Sequence, residues 1–175
     1  MGVKLNLTQS DIKKAKGIFE PLPLGVYGAV IFEAKDAISK SSGNPMYTVT
    51  YKVTELPEGA TEGLGYKFTA YYSQTEKAWF KARELFKAIG RTDIIEGIES
   101  SELEFPPADE VLLGEEVNLK LKHDQYESVD DEDNEVTLTR AVADRVSPRD
   151  DAKLRLADAP AAEEETAAGG KFLGL

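Results

Sequence analysis

The chain contains no cysteine and a single histidine, His123, among its 175 residues. The absence of cysteine excludes a disulfide framework, a thiol nucleophile and a cysteine-ligated zinc or iron–sulfur site. One histidine cannot supply a two-histidine metal site, and its position beside Asp124 at a strand end is typical of a capping or exposed histidine. We therefore expect no metal and no cofactor. A cysteine-free chain suits a reducing compartment, so we expect the cytoplasm, that of the host cell if the protein is viral.

Long apolar segments are also missing. No run approaches the roughly 18 residues of a membrane helix, and the opening residues, MGVKLNLTQSD, lack the apolar core of a secretory signal. Neither a Walker-type phosphate loop nor a GxGxxG fingerprint occurs. These absences predict no membrane partner and no enzymatic activity.

Charge is distributed unevenly along the chain, whose formal net charge is −11. Residues 1–90 contain 12 Lys and Arg against 9 Asp and Glu, whereas residues 91–175 contain 9 against 23. The first part is therefore slightly basic, and the acidic total does not exclude a polyanionic partner for it. Charge that serves only solubility has the same appearance.

Alternating apolar and polar residues predict five strands, over 25–37, 46–54, 66–72, 115–123 and 136–146. The second is the clearest, because Tyr47, Val49, Tyr51 and Val53 share one face, while threonines and Lys52 share the other.

One helix is predicted between the third and fourth strands, over 77–89. It follows the capping-box sequence SQTE, carries an apolar stripe from Trp79 to Ile89, and meets a stop signal at Gly90. Five strands with a helix in this position predict an all-β fold, a five-stranded OB-fold barrel.

Two segments flank the predicted barrel. Residues 1–24 form an N-terminal basic arm or short helix with Lys13, Lys14 and Lys16, and residues 25–148 form the OB-fold domain. Residues 149–175, rich in Ala, Asp, Glu, Gly and Pro, form a disordered acidic tail that ends in the apolar sequence KFLGL.

Three motifs resemble a family of small phage single-stranded DNA-binding proteins with an OB-fold. They are PLPxGxY (Pro21 to Tyr27), SKSSGNPM (Ser39 to Met46) and LLGEEVNLKLKH (Leu112 to His123). The resemblance covers roughly residues 19–146. It implies a role in phage DNA replication, recombination and repair. The acidic tail is similar to tails that recruit phage or host replication proteins, which assigns partner binding to Phe172, Leu173 and Leu175.

A single-strand binder needs cations that follow the phosphates and aromatic rings that stack on bases. The predicted nucleic-acid-binding residues flank the loop between strands 1 and 2 or lie on strands 2, 3 and 4: Lys35, Lys40, Tyr47, Tyr51, Lys52, Lys67, Tyr71, Lys120 and Lys122. The tyrosines of the apolar faces have an alternative role in core packing. Tyr71, which shares a face with Lys67, is the best candidate for stacking.

Two other functions are compatible with the sequence. An OB-fold adaptor would use the tyrosine face to bind protein instead of nucleic acid. A nuclease subunit would hold a metal with Asp130, Asp131 and Asp133, although DDEDNE is typical of a solvated hairpin turn. A homo-oligomer and a preference for DNA or RNA are left open.

Overall fold

The computed structural model of this chain describes residues 2–8 and 21–157. Its strands are β1 (Gly25–Ile38), β2 (Pro45–Glu55), β3 (Lys67–Ser73), β4 (Glu116–Val129), β5 (Glu135–Pro148) and β6 (Arg155–Leu156). Its helices are α1 (Trp79–Ala88), α2 (Thr92–Glu99), α3 (Ala108–Val111) and a short 3-10 helix at Asp151–Lys153. The five predicted strands are confirmed, and most of their ends lie within a few residues of the predicted ones.

The strands form one antiparallel sheet in the order β3-β2-β1-β4-β5, and β6 pairs with the start of β1. The sheet is open: in the described part of the chain, no backbone ladder joins β3 to β5. The barrel predicted from the sequence is therefore not closed. The two edge strands nevertheless approach each other, since Phe68 of β3 and Ala141 of β5 line the same small pocket.

Strict alternation along β2 sets the position of the core. Tyr47, Val49, Tyr51 and Val53 are buried, whereas the residues between them are half-buried. The inner sides of β1 and β4 complete this layer with Tyr27, Ile31 and Leu119, among others. The residues of a strand alternate between two faces, so one side of the sheet remains for contact with solvent or a ligand.

The segment between β3 and β4 contains three helices where the sequence predicted one. The α1 helix carries the predicted stripe, and Gly90, at a φ of +76°, ends it. Trp79 Nε1 and Arg83 Nε both donate to the Glu99 carboxylate of α2, at 2.7 and 2.9 Å. Together with a cluster of edge-on and tilted rings that includes Phe86 and Phe105, these bonds fix the helices across one end of the sheet.

Residues 149–157, which composition assigned to the disordered tail, are ordered, and that boundary was wrong. This segment, the strap, crosses the outer side of the sheet. Asn118, only 1% exposed, donates to the Asp150 carbonyl at 2.9 Å and accepts from its backbone N–H at 3.2 Å. A Cβ added at Gly25 would lie 2.5 Å from the Arg155 carbonyl oxygen, so glycine allows β6 to approach.

We expect Asn118→Ala to release the strap, because the backbone of Asp150 loses both of its hydrogen bonds to the β4 side chain. The free energy of unfolding should fall by about 1–3 kcal/mol. Trypsin should cut after Lys153 and Arg155 faster than in the wild type. Asn134→Ala, an exposed amide in the β4–β5 turn, is the matched control. Equal cleavage rates in the two variants would contradict the role of Asn118.

A pair of buried phenols predicts a loss of stability at alkaline pH. The hydroxyls of Tyr51 and Tyr72 hydrogen-bond to each other. Burial raises the pKa of Tyr72 to about 12 and raises the pKa of Tyr51 well above its ordinary value of about 10.

Above pH 10 the unfolded chain releases these two protons before the folded chain does, so the free energy of unfolding should fall as the pH rises from about 10 towards 12. The expected slope is about 1.4 kcal/mol per pH unit for each tyrosine. Urea titrations across this range measure it. The double variant Tyr51→Phe/Tyr72→Phe should have a shallower slope, and an unchanged slope would refute the assignment.

Candidate nucleic-acid interface

The solvent-facing side of β1, β2 and β3 forms a continuous polar surface, here called the outer face. It consists of Phe32, Glu33, Lys35, Thr48, Thr50, Lys52, Lys67, Thr69 and Tyr71. Strand register arranges these residues in rows across the sheet. One row joins Lys35, Thr48 and Tyr71, and the next joins Glu33, Thr50 and Thr69.

The third row is centred on an exposed aromatic ring. Phe32 lies at a bulge in β1, where the register with β2 shifts between Ile31 and Glu33. Its side chain is 41% exposed. The Lys52 and Lys67 ammonium groups lie 5.0 and 4.4 Å from the centre of its ring. Each contact is a cation–π interaction, and the ring holds two lysines together at one point of the surface.

These two ammonium groups give this part of the surface a local excess of positive charge. Both lie within 5.0 Å of the centre of the same ring, so the two like charges repel each other. In residues 21–157 neither lysine is joined to a carboxylate by an ion pair. An anionic group placed between them would relieve the repulsion, and phosphate matches two lysine donors well.

Tyr71 lies at the opposite end of the outer face from Phe32. Its side chain is 58% exposed, and it is flanked across the strands by Thr48. Tyr71 is four positions after Lys67 along β3, which corresponds to roughly 13 Å of strand. The outer face therefore presents two accessible rings, one at each end, with the row of Glu33, Thr50 and Thr69 between them.

The β1–β2 turn is built by its own hydrogen bonds. The Gly43 N–H donates to the Ser39 carbonyl, and the Ser39 N–H donates to the Asn44 carbonyl, both at 2.8 Å. Gly43 adopts a φ of +75°. This turn places the exposed Lys40 beyond Lys35, at the Tyr71 end of the outer face. The loop is thus a compact turn that carries one cation, and its geometry needs no ligand to explain it.

Two of the predicted stacking residues are unavailable to a ligand. Tyr47 and Tyr51 are fully buried, and the Tyr47 hydroxyl donates to the Pro106 carbonyl. Burial raises the pKa of Tyr47 far above its ordinary value. Their assignment to nucleic-acid binding was wrong, because Tyr47 packs against the rings of Phe86 and Phe105 and Tyr51 hydrogen-bonds to Tyr72 inside the core.

Lys120 and Lys122 do not join the outer face. Lys120 is in register with Val26, near the start of β1. The Arg149 guanidinium of the strap lies against Gly28, between that position and the outer face. Lys122 lies 3.9 Å from Asp144 and borders a cleft beside α1. The structure therefore brings together Lys35, Lys52, Lys67 and Tyr71 from the predicted set and leaves the two β4 lysines on another surface.

The motif PLPxGxY has a structural role here. The Tyr27 hydroxyl donates to the Pro23 carbonyl at 2.8 Å, and His123 Nε2 lies 2.8 Å from the Leu22 carbonyl oxygen. In the β4–β5 turn, the Asp130 carboxylate accepts from the Glu132 and Asn134 N–H groups. DDEDNE is therefore a hairpin turn, and residues 2–8 and 21–157 contain no group of three His, Asp or Glu placed to hold a metal ion.

Several predicted features lie outside the described residues. These are the lysines of the N-terminal arm (Lys13, Lys14 and Lys16) and the tail residues Phe172, Leu173 and Leu175. Within the described ranges, no helix is both long and apolar enough to cross a membrane.

Sequence reasoning missed Phe32 as a surface residue. In the sequence both sides of β1 are apolar, so Phe32 was indistinguishable from a core residue. The only available signal was its position along the strand. Tyr27, Ala29 and Ile31 are buried at every second position, and Phe32 lies outside that series.

Comparisons with known proteins give no independent assignment. No family model matches the chain, and a search of curated proteins finds no match to it.

Proposed function

We propose that the protein is an OB-fold protein that binds single-stranded DNA without sequence preference and performs no chemistry on it. The outer face is the proposed binding surface. The observation that carries the proposal is the convergence of Lys52 and Lys67 on the exposed ring of Phe32, with Tyr71 accessible on the same face.

Strand order supports the OB-fold assignment. In an OB-fold, five strands form a Greek-key barrel whose surface over strands 2 and 3 binds oligonucleotides or oligosaccharides. Here β1 pairs with both β2 and β4, the helices lie between β3 and β4, and the edges of β3 and β5 approach each other. The outer face occupies the corresponding position on β2 and β3.

The chemistry of the outer face supports a single strand over a duplex. Exposed rings stack on bases only where the bases are unpaired, and every base has a face on which to stack. Threonine side chains between the rings leave the surface low enough for bases to approach. The lysines attract phosphates without reading base edges, which gives affinity without sequence preference.

The biological setting rests on the resemblance to phage single-stranded DNA-binding proteins. It supports a proposed role in DNA replication, recombination or repair. It also assigns recruitment of phage or host replication proteins to the acidic tail that ends in KFLGL.

Removal of either exposed ring should weaken binding to a single strand. We expect Tyr71→Ala and Phe32→Ala each to lose about 1–3 kcal/mol of binding free energy, roughly 5- to 150-fold in Kd. Fluorescence anisotropy of labelled oligo-dT, with a duplex as control, measures this. Tyr71→Phe keeps the ring and should bind like the wild type. If no oligonucleotide binds even at low salt, the outer face is instead a protein-binding surface, as the adaptor alternative requires.

Removal of the two lysines should reduce the salt dependence of binding. For single strands, log K falls with log salt concentration by about 0.7 for each neutralised phosphate. We therefore expect the double variant Lys52→Gln/Lys67→Gln to lower the slope by about 1.4. Lys153→Gln, an exposed lysine of the strap, is the matched control and should leave the slope unchanged. Equal slopes in both variants would show that Lys52 and Lys67 do not contact phosphate.

A further inference from the structure

A second basic surface lies between α1 and the β4–β5 hairpin. It is a cleft of about 640 Å³. Five cationic side chains border it, against two acidic ones, and the cations are Lys81, Arg83, Lys87, Lys122 and Arg145. The cleft thus carries an excess of positive charge in a protein whose net charge is −11.

Ion pairs within the cleft account for both of its carboxylates. Glu84 accepts from the Arg145 guanidinium at 2.6 Å, and Asp144 lies 3.9 Å from Lys122. In the described part of the chain, Lys81 and Lys87 form no ion pair. Their positive charge is therefore not balanced within the cleft and is available to an anionic ligand.

An exposed aromatic ring stands at the edge of this cleft. Phe80 is 70% exposed, the largest exposure of any aromatic side chain in the described residues. A phenyl ring on the solvent side of a helix gains nothing from the core, whose apolar stripe runs through Ala82 and Phe86. A ring beside uncompensated lysines is the combination that stacks on bases and holds phosphates.

One side chain of the cleft reaches the edge strand β3. Lys81 belongs to the cleft, and its ammonium group lies 5.5 Å from the centre of the Tyr72 ring. Tyr72 is buried on the inner side of β3, and its neighbour Tyr71 is exposed on the outer face, so the two surfaces lie on opposite sides of this strand. Because β3 is an edge strand, no further strand of the described chain separates the two surfaces at this point.

We infer that one single strand of DNA binds both surfaces, passing from the outer face over the edge of β3 into the α1 cleft. There Phe80 stacks on a base, and Lys81 and Lys87 hold phosphates. This inference rests on the proposed function and extends it: the cleft lengthens the binding site and adds affinity only for strands long enough to reach it.

Oligonucleotide length separates the two surfaces. Binding of full-length protein is measured with oligo-dT of about 5 and about 15 nucleotides. Both lengths lie within the ~4–16 nucleotides that a single OB-fold binds. We expect Phe80→Ala to weaken binding of the longer strand at least about 5-fold and to leave the shorter unchanged. Phe80→Tyr, which keeps a ring, should bind both like the wild type. Tyr71→Ala should weaken both.

The lysines of the cleft give an independent readout. Lys81→Gln/Lys87→Gln should lower the salt slope by about 1.4 for the longer strand only. Lys77→Gln, which precedes α1 and does not border the cleft, is the matched control. Bromodeoxyuridine placed in turn along the longer strand should crosslink to Tyr71 and to Phe80 from separate positions.

The outcomes distinguish the inference from the function on which it rests. If the wild type binds neither strand at low salt, the proposed function fails and the inference fails with it. If Tyr71→Ala weakens binding at both lengths while Phe80→Ala and the double lysine variant change neither, only the extension into the cleft is wrong. Loss of affinity in Phe80→Ala that is equal at both lengths would also overturn it. Circular dichroism checks that the variants are folded.

Discussion

The backbone of β1 is the constraint on which the rest of the structure depends. Its peptide groups lie in the middle of the sheet and need partners on both edges. β2 covers one edge, and β4 covers only the first part of the other. Beyond the last β1–β4 pair, the backbone of residues 114 and 115, just before β4, bonds to Ile31. Farther along β1, the Asp36 carboxylate caps the start of α3. β6 completes the start of the strand. The start of α3, the chain entering β4 and the end of the strap are therefore all bonded to one strand.

The same pairing separates a dry interior from a polar surface. A slip of one residue between β1 and β2 would turn Tyr47 and Tyr51 outwards and bury Lys52. The interior tyrosines fix the register, since their rings fill the space under the helices and their hydroxyls find partners there. The two proposed ligand-binding rings take no part in this packing. Tyr71 points to the face of β3 opposite the core, and the bulge in β1 carries Phe32 onto the outer side. Core and outer face are thus two consequences of one register.

Sequence patterns predicted the parts of the fold that depend on local periodicity. The strands and α1 were found because alternation and a helical stripe extend over many residues. The α2 and α3 helices were missed because they are short, contain or follow glycine and proline, and have no cap from the side chain of the residue that precedes them. β6 was missed because two residues in a polar segment carry no pattern; only its pairing with Gly25 makes it a strand. For the candidate site, the pattern grouped residues by face but could not tell which face would be covered. That decision belongs to packing, which buried Tyr47 and Tyr51 and left Tyr71 exposed.

The strap also bears on how the chain reaches its native state. Among the described strands β1 is synthesised first, yet the partner of Gly25 and Val26 is β6, at the other end of the described sequence. Contacts between residues so distant in sequence form slowly, because the entropy of closing a long loop is lost before the contacts can stabilise the chain. During synthesis the β1–β2–β3 meander is able to pair early, while the start of β1 waits for β4 and then for the strap. The nascent protein therefore displays an open strand edge for most of the translation of these strands, and this edge is where a chaperone or a second nascent chain would pair with it.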